Sequence, residues 1–397
     1  MNTLSTESDI SYYGWVVVGM AFIANLEAYG LAYSYGIFLK PLSNEFGWSR
    51  SATAGAFGFY AIFHNILAPL AGRLCDRFGP RLILAIGGFC LGLSMILMGY
   101  TTSIWELYFY YGVLFSIGMA GEYIPVMSTV SRWFKVKRGF ALGLTAAGLG
   151  AGSLFISPLS AWLISSFGWR KTYTILGILT WLIFIPIVKF MKKAPRESMK
   201  IGEVEGLSFF EAFRTGTFWA LGFCWLFSAM ALWAVMIHIV PLAIDRGMSM
   251  MTAGILAGLI GAGSIIGRIS SGFLSDKVGR KRILVTEFVF QIMALIWLLF
   301  SKEIWMLFLF AIFFGLSSGG WTGVIAAFPA DCFGLKATGS IFGFVIILAG
   351  VGVAIGPYMG GYIFDTTHSY NYMVVMCIIA TIAAIVSGLF LTPVIKS

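Results

Sequence analysis

"GRLCDRFGPR" occupies residues 72–81 and "GFLSDKVGRK" occupies residues 272–281. The two stretches share the pattern G-x-x-x-D-[RK]-x-G-x-[RK]. Gly72, Asp76, Gly79 and Arg81 answer to Gly272, Asp276, Gly279 and Lys281 at an offset of 200 residues. The same offset pairs Gly139, Gly143, Gly150 and Gly152 with Gly339, Gly343, Gly350 and Gly352. In a chain of 397 residues, self-similarity at half the length means a duplicated unit. Each copy is a short charged stretch between two long apolar ones. The repeated unit is therefore a set of apolar segments joined by polar turns.

Composition says where such a unit can exist. The chain is 59% hydrophobic and only 11% charged, whereas soluble domains carry about a quarter charged residues. A water-soluble fold could not hide that much apolar surface, so the expectation is an all-α integral membrane protein. The short alternating segments of a membrane barrel are not seen. Twelve transmembrane helices are expected, at 14–39, 52–72, 81–101, 105–131, 139–165, 172–191, 216–240, 252–275, 283–301, 304–330, 338–364 and 372–393. Nineteen of the 26 Lys and Arg residues fall after even-numbered spans and six after odd-numbered ones. By the positive-inside rule both termini are cytoplasmic, and a multi-pass protein of the cell (inner) membrane is expected. This placement accounts for the net charge of +9 without nucleic acid. The opening "MNTLSTESDISYYGW" has no basic residue and no cleavage pattern, so the first span is expected to be kept.

The polar stretch "KFMKKAPRESMKIGEVEGLS" (189–208) divides the chain into a first six-helix half (1–191), a cytoplasmic joint (192–210) and a second half (211–397). Halves repeated in the same orientation put a substrate path at their interface. Five scattered cysteines form no CxxC pair, so neither a disulfide framework nor a metal site is expected, and no cofactor. The absence of GxxxxGK[ST] leaves an electrochemical gradient as the energy source. A monomer bathed in lipid is the expected working form.

"GSIIGRISSG" (263–272) places an arginine, Arg268, inside span 8. At a span centre a lone arginine costs about 2.5–3.5 kcal/mol on insertion scales. It could snorkel toward headgroups, being roughly 10 Å from the expected inner end. Its helix face argues for a wet interior instead: Gly261, Ser264, Ser271 and Gly272 are all small or polar. A guanidinium there offers a planar fork for a carboxylate. Further polar stripes are Asn25, Tyr29 and Tyr33 in span 1, Tyr60 and His64 in span 2, and Ser318 and Thr322 in span 10. Three acids lie inside spans, and a buried carboxylate prefers to be neutral. Glu122, grouped with Gly118 and Tyr111 on one helix face, is the first proton-coupling candidate; Glu27 and His64 follow, and Glu287 reads as interfacial. Asp76 with Arg77, and Asp276 with Lys277, are candidates for a gating latch, the alternative being solvated turns.

The loop pattern and its echo resemble the signature of the major facilitator superfamily. "YGWVVV" (13–18), "RWFKVKRGFALG" (132–143) and "FGWRKTY" (167–173) narrow the resemblance to the monocarboxylate transporter family, which includes bacterial L-lactate transporters and the related oxalate/formate group. The resemblance implies an essential arginine at Arg268 and a cavity lined by Tyr29, Tyr33, Tyr60 and His64. Mammalian members have a lysine where Tyr33 stands and an aspartate where Ser264 stands, so their proton route does not transfer directly. The function expected is proton-coupled transport of small monocarboxylates such as L-lactate or pyruvate. The alternative is an oxalate/formate-type carboxylate antiporter, although span 11 lacks the second cation of the oxalate carrier. A non-transporting membrane metabolite sensor ranks below both. No nucleophile motif or convergent acid pair suggests an enzyme.

Overall fold

The computed structural model describes residues 4–134, 137–193, 206–334 and 336–394. Twelve helices are long and apolar enough to cross a membrane: α1 (Tyr12–Phe46), α2 (Arg50–Phe78), α3 (Pro80–Met98), α4 (Ile104–Trp133), α5 (Arg138–Phe167), α6 (Trp169–Phe190), α7 (Gly216–Asp245), α8 (Met250–Val278), α9 (Arg280–Phe300), α10 (Ile304–Phe333), α11 (Thr338–Thr367) and α12 (Asn371–Leu389). Most of the expected joint, 194–205, lies outside the described residues.

Several helices outrun their apolar segments. The repeated loop motif is itself mostly helical: Gly72–Phe78 closes α2 and Gly272–Val278 closes α8. The turn is one residue, Gly79 (φ +89°) or Gly279 (φ +99°), a left-handed conformation that favours glycine. At the opposite ends, Ser49 and Ser249, again 200 residues apart, accept hydrogen bonds from the amides of Ala52 and Thr252 and cap α2 and α8.

Packing repeats with the sequence. α1 lies along α5 as α7 lies along α11, and α3 along α6 as α9 lies along α12. One hydrophobic core is built mainly from α1–α6 and another mainly from α7–α12. Across the two halves, α5 packs along α8 and α11 along α2. Apolar side chains such as Ile66, Trp105, Phe155 and Ile269 are left on the outside, as a lipid-facing belt requires.

Two spans are broken. α4 contains a π-helical segment, Tyr108–Leu114, and then a turn at Gly121–Glu122 before its last helix, Tyr123–Trp133. Pro125 has no N–H to give the Gly121 carbonyl, so the ladder fails there. α10 breaks after Ile325, and Pro329 withholds a bond from that residue's carbonyl in the same way.

With twelve such helices running alternately up and down, the start of α1 and the end of α12 lie on one face, the terminal face. The halves meet at the far face. A Cβ built on Gly36 would lie 2.6 Å from the Ile237 carbonyl oxygen, one on Gly58 2.8 Å from that of Ala354, and one on Gly361 2.6 Å from the Ser51 amide nitrogen. Toward the terminal face the same glycine stripes open. Gly139 and Gly143 of α5, Gly272 of α8, and Gly339 and Gly343 of α11 have nothing within 4 Å of a built Cβ. The halves are closed at the far face and parted at the terminal face.

Candidate functional site

α8 carries Arg268 to the seam between the halves. Its helix ends at Val278, so the arginine stands ten residues, roughly 15 Å, from that end. Gly323 of α10 makes room for the arginine stem, with a built Cβ only 3.0 Å from its Cγ. Arg268 Nη1 donates to the Ala146 carbonyl of α5 at 2.7 Å, and Nη2 donates to Thr322 Oγ1 of α10 at 3.3 Å. One fork of the guanidinium therefore reaches into the first half and the other stays in its own. Among the described residues, no carboxylate ion-pairs with Arg268. The guanidinium is held by protein groups at depth, which argues against snorkelling.

Arg268 borders a cavity with Tyr33, Ser153, Leu232, Met236, Ser264, Ser318 and Thr322. About 30 Å³ of it is open to water, room for a water or two, so a larger occupant needs the surrounding helices to give. Ser264 Oγ and Ser318 Oγ donate to carbonyls one turn back, those of Gly261 and Gly315. Thr322 Oγ1 donates to the Ser318 carbonyl at 2.8 Å, which turns its lone pairs toward the guanidinium. A larger groove of about 440 Å³, lined by Gly216, Thr217, Phe223 and Ser387 among others, contains no charged group and lies far from this seam.

An aromatic cluster runs back from Tyr33 at the edge of the cavity. Trp233 of α7 stacks on Tyr33 with ring centroids 5.0 Å apart and planes at 16°. Tyr29 lies 6.2 Å from Tyr33, and Tyr123 meets Tyr29 edge-on at 5.6 Å. Tyr33 lines the same cavity as Arg268. Tyr60 lies one layer back, packed with Phe57, Tyr111 and Phe115 in the core of the first half. His64 neighbours Tyr60 at 5.7 Å, and its buried Nδ1 has no hydrogen-bond partner. Of the eight residues expected at the site, Arg268, Tyr33, Ser264, Ser318 and Thr322 line the cavity, Tyr29 adjoins it, and Tyr60 and His64 do not reach it. Trp233, Tyr123 and the Ala146 carbonyl were not anticipated. Pro125 was the available signal for Tyr123, because it breaks α4 beside that residue.

The three acids separate. Glu122 is fully buried at the α4 break, and neither carboxyl oxygen has a hydrogen-bond partner. The expected face shared with Gly118 and Tyr111 does not exist. The π segment and the turn rotate α4, so Tyr111 stacks on Phe115 and Gly118 packs against Leu91. Glu122 immediately precedes Tyr123, whose ring meets Tyr29. Glu27 points into its own half and accepts a 2.6 Å hydrogen bond from Thr180 of α6. Glu287 is not simply interfacial: it accepts from Ser271 of α8, and its carboxyl rests on Gly320 of α10.

The expected latch residues are engaged within their own halves. Asp76 pairs with Arg132 at the end of α4. Asp276 meets Arg280 at 3.8 Å, and Arg280 also pairs with Asp331 of α10. Arg77 lies over Phe78 and Lys277 over Phe273. Among the described residues, none of the four is seen to pair across the halves in this conformation.

The sequence profile of the Major Facilitator Superfamily matches residues 20–302 and 271–397, nearly the whole chain. The protein belongs to the major facilitator superfamily. It is a transporter of that superfamily and not an enzyme, and its relatives include monocarboxylate transporters at low identity. It is 28% identical over 378 residues to the uncharacterized MFS-type transporter YcxA of Bacillus subtilis, covering 92% of each chain. It is 27% identical to mouse monocarboxylate transporter 11, over 92% of this chain and 84% of the relative. To human monocarboxylate transporter 2 it is 26% identical, over 94% and 84% respectively. Among solved structures, a bacterial homologue of the human lysosomal transporter Spinster in an inward-facing, occupied conformation superposes with a TM-score of 0.79 at 16% identity, covering 95% of both chains. At that identity the likeness concerns the fold alone.

Proposed function

We propose that this major facilitator superfamily member carries small monocarboxylates, L-lactate and pyruvate among them, together with a proton. The observation that supports this most is Arg268: a guanidinium without a carboxylate partner among the described residues, at the seam of the two halves, beside a small cavity edged by Tyr33. A single fixed cation suits a single carboxylate, and a second carboxylate would stay desolvated and unpaired. Tyr33, Trp233, Tyr29 and Tyr123 then limit the rest of the substrate to a short apolar tail. Relatives named monocarboxylate transporters fit the same reading. This lone charge favours the monocarboxylate reading over an oxalate/formate-type exchanger.

In this scheme residues 1–191 and 211–397 rock about the Arg268 seam, with the terminal face toward the cytoplasm and the protein in the cell membrane as a monomer. Substrate bound at Arg268 replaces the hydrogen bond to Ala146, which otherwise ties α8 to α5 of the opposite half. Entry of a proton with the anion leaves the loaded carrier with the charge of the empty one. Ser264 cannot ionise, so the proton is assigned to Glu122, which immediately precedes Tyr123 of the aromatic cluster, with His64 and Glu27 behind it. Asp76, Arg77, Asp276 and Lys277 are assigned to closing the terminal face in the opposite conformation.

The test is uptake of radiolabelled lactate into proteoliposomes with and without an inward proton gradient. Arg268→Ala is expected to abolish uptake with folding retained. Arg268→Lys, which keeps the charge but loses the fork, is expected to restore little, since one charge-assisted hydrogen bond is worth about 1.5–3 kcal/mol, roughly a 10- to 150-fold change. Near-normal uptake by Arg268→Ala refutes the assignment.

A further inference from the structure

At the far face a second guanidinium is gripped by a carboxylate from the other half. Arg50, the first residue of α2, forks onto Asp245, the last residue of α7: Nη1 lies 2.6 Å from Oδ2 and Nη2 3.1 Å from Oδ1. Lys40 of α1 adds a third contact, Nζ to Oδ1 at 2.8 Å. The guanidinium also covers the Phe364 ring at 3.6 Å and donates to the Tyr370 hydroxyl at 2.5 Å. Here a fork and an ammonium converge on one carboxylate against an aromatic ring, the geometry with which proteins bind free carboxylates.

Ownership of the parts matters. Lys40 and Arg50 belong to the first half. Asp245, Phe364 and Tyr370 belong to the second. When the far face opens, the two cations leave together and the carboxylate stays behind. Nothing described nearby in the first half replaces it. Glu45 is already held by Trp169 Nε1 at 2.5 Å and Arg170 Nη2 at 2.8 Å. Glu106 is spent on the amides of Thr102 and Ser103, capping the first turn of α4.

We propose that Lys40 and Arg50 form a second carboxylate-binding site at the outer mouth of the transporter. Asp245 fills it while the far face is closed, and an incoming small carboxylate fills it when that face opens. The site rests on the monocarboxylate reading only for the identity of its natural occupant. Arriving substrate is captured by Lys40 and Arg50 before it reaches Arg268, and it competes with Asp245 for the same fork, so its presence delays reclosure of the empty carrier.

A gate without a binding role makes a different prediction, because Arg50→Gln and Asp245→Asn break the same ion pair. With full-length protein in proteoliposomes, KM and kcat for lactate entering from the far face are measured for wild type, Lys40→Gln, Arg50→Gln and Asp245→Asn. Both gate-breaking variants are expected to change kcat. Arg50→Gln is expected to raise KM about 10-fold or more, the loss of a charge-assisted hydrogen bond, whereas Asp245→Asn leaves KM unchanged or lower. Equal changes in KM overturn the proposal. A readout independent of lactate uses Ser51→Cys and a membrane-impermeant maleimide. Acetate outside is expected to speed alkylation relative to chloride at equal ionic strength, and to lose that effect when Arg50→Gln is added. No difference between acetate and chloride also overturns the site. If wild type moves no lactate but acetate still speeds alkylation, the transport reading fails and the site stands.

Discussion

Replacing Gly361 with alanine tests how the far face closes. The added methyl would lie 2.6 Å from the Ser51 amide nitrogen and 2.7 Å from the Arg50 carbonyl carbon and the Ser51 Cα. All three are backbone atoms of the first turn of α2, so no side chain can swing aside. Ordinary contact begins near 3.4 Å, so α11 and α2 must separate by roughly 0.8 Å, the difference between 3.4 and 2.6. That turn is also tied to α11 by Asp365, whose carboxylate accepts from the amides of Arg50 at 2.9 Å and Ser51 at 2.8 Å. Retreat by that distance along the same direction stretches the shorter bond to roughly 3.6 Å, beyond a hydrogen bond. Overpacking alone costs about 1–3 kcal/mol, and it is felt only when the far face is shut. The equilibrium should shift toward the state open at the far face by roughly 5- to 150-fold. The assay is alkylation of Ser51→Cys by an impermeant maleimide, with and without Gly361→Ala. Gly216→Ala serves as control, since its methyl would meet open space in the groove away from the seam. Faster labelling with Gly361→Ala and unchanged labelling with the control is the expected result. An unchanged rate with Gly361→Ala would refute closure by direct backbone contact.

Glu122→Gln should remove the pH dependence of net uptake while counterflow exchange survives; unaltered gradient-driven accumulation eliminates Glu122 as the proton carrier. Lactate and pyruvate should compete with each other for uptake, and oxalate or succinate should compete poorly; strong inhibition by oxalate at low concentration would favour the exchanger. Gly152→Ala should lower thermal stability in detergent by about 1–3 kcal/mol, because its methyl would lie 2.6 Å from the Gly30 amide nitrogen within the same half. A melting curve identical to wild type would contradict that packing.

The fold was legible because hydropathy, charge placement and the repeat at Gly72 and Gly272 all require the same arrangement of spans. Helix ends were not legible from apolarity. α2 and α8 run on through charged residues until Gly79 and Gly279 stop them, and a membrane helix does not end where its grease ends. Arg268 stood out because an arginine among glycines and serines has few other uses. Its aromatic neighbours were harder to read. Trp233 comes from a span whose faces are apolar all round, and Tyr123 is presented by the break at Pro125. Reading α4 as one regular helix put Tyr111 beside Glu122, and the π segment undoes that placement. Lys40, Arg50, Asp245 and Asp365 fall just outside the expected spans. Their pairing spans 195 to 315 residues of sequence, and no local pattern encodes it.

α5 offers two sides to two different neighbours. Gly148 and Gly152 press on α1 of their own half, at the Phe22 carbonyl and the Gly30 backbone, while Gly150 presses on Ser264 and Gly261 of the opposite half. The same chemical change at neighbouring positions therefore has different heredity. A methyl at 148 or 152 weakens a joint that must never move, so its carriers lose protein from the membrane and are rescued by anything that aids assembly. In the proposed rocking scheme a methyl at 150 jams a joint that slides, so its carriers should keep a full complement of protein that turns over slowly. Suppressors of the first class should scatter through α1 to α6, and suppressors of the second should gather on α8 around Ser264 and Ile265, whose side chains the methyl would meet first.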